Sequence, residues 1–163
     1  MSPMTNSSPA AVHFDPSWKS ILECAVLEVF EMMAGIRLEP TPANTNPPAG
    51  EQTAMVGMAG ALCGMTIIRC TSITASRFAS LMLGEHAATN PSASRDAMGE
   101  LCNMIAGNFK SKISNLADHC MLSVPTVITG ADYSMETSEP TEGATVSFVF
   151  EGQPIWVTLV IHT

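Results

Sequence analysis

The stretch from about Ser94 to Asp118 contains no proline and is well supplied with strong helix formers. Set out at about 100° per residue, it places Met98, Leu101, Cys102, Ile105, Phe109, Ile113 and Leu116 on one face. A helix this one-sided has to bury that face against apolar partners from the rest of the chain. With 163 residues, 46% of them hydrophobic, the chain has the material for one sizeable core without a metal or disulfide framework.

The remaining segments divide cleanly. Residues 1–14 read as a mobile polar tail, and residues 15–163 as a single domain. Asp15-Pro16 offers an N-cap and first-turn proline for a helix in which Trp18, Ile21, Leu22, Ala25, Val29, Met32 and Met33 recur at helical spacing, with Gly35 as its stop. Residues 39–50, EPTPANTNPPAG, hold four prolines and read as a loop. Residues 52–59 and 61–70 form a candidate hairpin around Gly60. Thr71 or Ser72 then caps a short helix to Leu83, with Phe78, Leu81 and Met82 inward and Gly84 ending it. After the long helix come three strand candidates, Met121–Thr129, Ala144–Phe150 and Ile155–His162, while Glu136–Glu142 reads as a solvated acidic loop. The order predicts an α+β domain, with long helices packed on a largely antiparallel sheet.

Charge and cysteine usage narrow the function classes. A formal charge of -8, with only 7 scattered basic residues, disfavours nucleic acid and anionic membrane as partners. Five cysteines (Cys24, Cys63, Cys70, Cys102 and Cys120) with no C-x-x-C pair fit neither a disulfide framework nor a zinc site and read as reduced core residues. The N-terminus lacks a basic start and apolar run, so a cytoplasmic location is expected. The uncharged stretch Thr53–Ile68 is shorter than the roughly 18 apolar residues of a spanning helix and is broken by glycines.

The polar face of the long helix carries Asp96, Glu100, Asn103, Gly107, Lys110, Ser111 and Ser114, with Glu100 and Asn103 as i,i+3 neighbours. Gly107 lies between that pair and Lys110, although glycine in a helix interior costs about 1 kcal/mol relative to alanine. A second backbone approaching there would explain it; an ordinary solvated face with a chance glycine is the plainer alternative.

The string E-L-C-N-M-I-A-G-N-F-K at Glu100–Lys110 resembles the E-x-x-N signature helix of the CheC/CheX/FliY family of chemotaxis phosphatases. The segments G-A-L-C-G-M-T-I-I (60–68), L-S-V-P-T-V-I-T-G (122–130) and the closing strand pair are similar to the family's flanking elements in the right order, so the resemblance covers about residues 17–163. Phe109 stands where small residues are common in the family.

The resemblance implies a CheC/CheX-like fold and a phosphatase acting on the aspartyl phosphate of a CheY-like response regulator. It implies no cofactor or metal site of the chain's own, since the regulator brings the Mg²⁺. Asn103 matches the residue that holds the attacking water, and Glu100 the acidic partner that pairs with the regulator's active-site lysine. An amide has no useful pKa, so Asn103 would orient water by hydrogen bonds and not act as a base. Gly107, Lys110 and Ser111 are candidate partner contacts from helical position. The first helix, ILECAVLEVFEMMAG, has no asparagine, so one active site per chain is expected, as in CheX-type members, with Glu23 and Glu28 as plain surface charges. Those members often pair through their sheets. The last strand, with Trp156 and Val160 opposite its main apolar face, offers a surface for such a homodimer, or else a face that a helix of the same chain covers. The alternative is a non-catalytic interaction domain of the same fold in a signalling pathway. A metalloenzyme built on His13, His86, His119 and His162 has no spacing motif behind it.

Overall fold

A computed structural model of the chain describes residues 12–42, 51–130, 133 and 141–163. Most of the N-terminal tail, residues 43–50 of the proline-rich stretch and most of the acidic loop lie outside the described residues. Helix α1 spans Trp18–Ala34 and buries Leu22, Ala25, Val26, Val29 and Phe30. Asp15-Pro16 does not cap it as expected. The Asp15 carboxylate instead accepts from the Ser17 amide (2.9 Å) and hydroxyl (2.8 Å), forming a turn that leads into the helix. Met32, expected inward, is 69% exposed, because Phe30 completes the buried stripe and sets its ring edge-on to Phe78, 5.0 Å between centroids. Gly35 ends the helix in the left-handed region at φ 62°, its amide donating to Glu31 O.

The strands are β1 (Glu39–Thr41), β2 (Gln52–Gly60), β3 (Gly64–Cys70), β4 (Cys120–Leu122), β5 (Thr126–Thr129), β6 (Thr141–Phe150) and β7 (Gln153–His162). They form one seven-stranded antiparallel sheet in the order β1-β6-β7-β3-β2-β4, with β5 also pairing to β2. The proline-rich stretch thus begins as a strand and not as loop: β1 lies on the sheet's edge, where Pro40 can be accommodated. Residues 121–129 are two strands rather than one. Leu122 pairs with Met58 and Thr126 with Met55, so three residues, 123–125, face two, Val56 and Gly57. That single extra residue makes a β-bulge, and Pro125 has no amide to give to the ladder.

Helix α2 (Ser72–Leu83) is capped by Thr71, whose Oγ1 accepts from Thr74 N at 3.3 Å; Phe78 is buried, but Leu81 is 37% exposed instead of inward. A 3-10 turn (Glu85–Thr89) leads to helix α3, Pro91–Ser111. The long helix therefore starts earlier and ends earlier than the expected 94–118. Asn90 Oδ1 accepts from Ser92 N (3.0 Å) and Ala93 N (3.4 Å) ahead of the first-turn Pro91. At the other end the chain turns back through residues 112–119, and Leu116 still reaches the core, which is why the apolar spacing ran past the true helix end.

All three helices pack on one face of the sheet. Met98, Leu101, Cys102, Ile105 and Phe109 of α3 meet Ala54, Val56, Ile68, Val157 and Leu159 in one apolar core. Cys102 Sγ donates to Ala54 O (3.5 Å) and Thr66 O (3.4 Å), and burial pushes its pKa up to about 12, so it is a neutral core thiol. Cys70 and Cys120 are buried too, but Cys24 and Cys63, expected in the core, are exposed. On the opposite face Trp156, read from the sequence as either a pairing surface or a covered one, is only 5% exposed, while Val160 is half-buried. Tyr133 covers part of that face, its hydroxyl bonded to Thr53 Oγ1 and its ring 6.0 Å from the Arg69 guanidinium.

Candidate active site

The sheet edge made by β4, the bulge and β5 runs beside α3. A Cβ added at Gly99 would lie 3.3 Å from Pro125 Cβ, and one at Gly107 would lie 3.9 Å from Leu122 Cδ1. Asn103 sits midway between these glycines, about 6 Å along the axis from each at 1.5 Å rise per residue. It is half-buried at this seam, with Glu100 exposed one turn earlier. Among the described residues neither the Glu100 carboxylate nor the Asn103 carboxamide has a hydrogen-bond or ion-pair partner. Both polar heads are thus available to a group from outside the chain. Beside Glu100 lies a recess of about 350 Å³, lined by Arg95, Asp96, Gly99, Glu100, Pro125 and Val127.

The other predicted contacts lie toward the helix C-terminus. Gly107 is half-buried, and a Cβ there would make an ordinary contact with Leu122. Lys110 is engaged inside the chain: its Nζ donates to Ala117 O (3.2 Å) and Cys120 O (2.7 Å), closing the return from α3 to β4. Ser111 is exposed, and its hydroxyl donates to Asn108 O at 2.8 Å. Among the described residues no three His, Cys, Asp or Glu side chains are grouped as a metal site, and no helix is long and apolar enough to cross a membrane.

Two features behind the site were not legible in advance. Phe109 is buried with its ring 6.1 Å from and nearly perpendicular to Trp18, so α1 supplies the space that this bulky residue needs. Glu28 is not a plain surface charge. It accepts from Lys112 Nζ (2.7 Å), Asn108 Nδ2 (2.9 Å) and Cys24 Sγ (3.4 Å), fastening α1 to the end of α3. Those bonds, led by the Lys112 ammonium, lower its carboxyl to about 2. Asn108 also donates to Ala25 O at 3.3 Å, so the second asparagine of the 100–110 string is a tether between helices. The bulge was missed as well, although Pro125 inside an apparent strand was its signal.

Helices packed on one antiparallel sheet are the fold that this chain shares with solved CheX and CheC-like structures. The model of the family described as chemotaxis phosphatase CheX matches residues 52–151, which include the whole 100–110 string. The chain belongs to the CheX family. It is 33% identical over 85 residues to the CheY-P phosphatase CheX of Thermotoga maritima, an alignment covering 51% of this chain and 54% of the relative. The chain therefore spans about half the length of the curated relative that it matches. The crystal structure of the chemotaxis protein CheX from Vibrio vulnificus superposes with a TM-score of 0.78 at 18% identity, covering 93% of this chain and 100% of the other. The CheX chain in the CheX–CheY–BeF3–Mg²⁺ complex from Borrelia burgdorferi gives 0.74 at 22% identity, covering 90% and 98%. These likenesses fix the fold.

Proposed function

We propose that this chain hydrolyses the aspartyl phosphate of a CheY-type response regulator, with Asn103 and Glu100 as its working pair. The observation that carries the reading is the pairing itself: two unengaged polar side chains, i,i+3 on α3, beside an open recess and inside the segment that matches the family. The Thermotoga maritima relative bears the name of this activity, and the Borrelia burgdorferi relative was crystallised with CheY.

In this reading the phosphorylated regulator, with its own Mg²⁺, is the substrate. The Asn103 carboxamide accepts from and donates to a water, holding its oxygen in line with phosphorus. That water attacks, the bond from phosphorus to the aspartyl oxygen breaks, and the products are inorganic phosphate and a free carboxylate. Phosphoryl transfer rewards positioning and charge stabilisation over covalent chemistry, so a neutral amide suffices. Glu100, exposed and anionic, meets a cation of the regulator and sets the register in which Asn103 enters. Gly107 and Ser111 extend the contact, while Lys110 acts on it through the turn that it holds.

A cytoplasmic location and pairing of two copies complete the reading; sedimentation equilibrium decides the pairing. The activity is tested by following acyl-phosphate loss from a panel of phosphorylated CheY-type receiver domains with Mg²⁺. Acceleration by the native chain, lost in Asn103→Ala and reduced in Glu100→Ala, supports it. Binding without hydrolysis by any regulator would replace the phosphatase with a non-catalytic interaction domain.

A further inference from the structure

Val124 is 85% exposed, the most exposed large apolar side chain among the described residues. It occupies the middle of the bulge, and the bulge is held firmly. Gly57 N donates to Ser123 Oγ (2.8 Å), Ser123 N donates to Gly57 O (2.9 Å), and Ser123 Oγ donates to Val124 O (2.9 Å). On its other side Pro125 rests on Gly99. A mobile tip could fold an apolar side chain away from water, whereas this backbone is fixed and keeps Val124 outside.

Its position along the edge is set by its neighbours. Leu122 lies at Gly107 and Pro125 at Gly99, so the residues between them, Ser123 and Val124, pass alongside Asn103. On one side of this knob is the recess beside Glu100, and on the other a hollow of about 330 Å³ lined by Gly57, Met58, Ala59, Met121, Leu122 and Ser123. Met121, at 77% exposed, borders that hollow. Bulges recur at sheet edges beside active sites, where they re-aim a side chain. An exposed apolar residue at the rim of a polar site fits a partner that buries it on docking.

We propose that Val124 is a specificity-determining contact, seated against an apolar patch that borders the phosphorylation site on the regulator's receiver domain. This rests on the reading of Glu100 and Asn103 as the regulator-docking pair and is continuous with it across the α3 seam. Val124 touches no reacting group; it fixes which receiver surface fits while Asn103 serves the water.

The test measures binding to CheY-type receiver domains activated with beryllofluoride and Mg²⁺, and hydrolysis of their phosphorylated forms, for the native chain, Val124→Asp, Val124→Ser and Met32→Asp. Val124→Asp is expected to raise Kd and KM about tenfold or more, the loss of ~1.4 kcal/mol of docking energy. Its kcat and thermal midpoint should stay near native values, because the side chain is exposed and carries no group that could hold or activate the water. Val124→Ser should show a smaller shift in the same direction, and Met32→Asp, exposed on α1, none. If Val124→Asp binds and turns over like the native chain, the contact is overturned and the phosphatase reading stands. If the native chain neither binds nor hydrolyses any receiver, that reading falls and takes this one with it.

Discussion

The backbone of Gly99 lies so close to Pro125 that a Cβ at position 99 would fall 3.3 Å from the proline's Cβ and 3.6 Å from its Cγ. Glu100 is the next residue along the helix, so the helix and the bulged edge are gauged against each other at the proposed docking site. Gly99→Leu has to displace Pro125 and with it Ser123 and Val124. The expected outcome is a destabilisation of about 1–3 kcal/mol, in the range for overpacking a buried site, with a marked rise in KM for the phosphorylated regulator. Urea unfolding and steady-state hydrolysis check the two together. Native-like values in both would mean that the edge yields freely and gauges nothing.

Lys110 separates a structural lysine from a recognition lysine. Its ammonium donates to Ala117 O and Cys120 O, so Lys110→Met leaves two carbonyls of the return turn without their charged donor. A loss of about 1–3 kcal/mol is expected in chemical denaturation, with only a secondary effect on catalysis. If Lys110→Met is as stable as the native chain but fails to bind the regulator, the lysine reads the partner directly and the turn needs no staple.

Much of this was legible in the sequence because the signals were periodic or punctuated. The buried face of α3 followed from spacing alone, as did the β2–β3 and β6–β7 hairpins and the stops at Gly35 and Gly84. Glu100 and Asn103 stood out only through the surrounding string, since two polar residues on a helix face carry no chemistry by themselves. What escaped depends on tertiary contact. The helix end at Ser111 is set by a lysine reaching carbonyls seven and ten residues on, and apolar spacing continues through that turn. The bulge depends on how residues 123–125 register against β2, which no single segment encodes. Glu28 looked idle because Asn108 and Lys112 are 80 and more residues away along the chain.

The Glu28 network gives a pH dependence with a definite sign. Its carboxyl is lowered from 4.5 to about 2 in the folded chain, first by Lys112, then by Asn108 and Cys24. A group with a depressed folded pKa adds stability that is fully present above its unfolded value, and that stability drains away as pH falls toward the folded one. The attachment of α1 to α3 should therefore weaken between about pH 4.5 and about pH 2. The pair is partly open to solvent, so the effect is small and screened by salt. Thermal midpoints measured across this range should fall less steeply for Glu28→Gln than for the native chain. Parallel curves would remove Glu28 from the acid response.

Gly107 allows stability and docking to be pulled apart. A Cβ there meets only Leu122 Cδ1 at 3.9 Å, an ordinary contact, so the chain itself has no need of glycine at this point in α3. Gly107→Ala should therefore stabilise the fold by up to about 1 kcal/mol, the usual gain in a helix interior. A regulator backbone that approaches α3 closely at Gly107 would meet the new methyl group, and KM should rise while kcat at saturation holds. A variant that is both more stable and fully active would show that nothing docks against that turn of the helix, and would confine the interface to Glu100, Asn103 and the bulge.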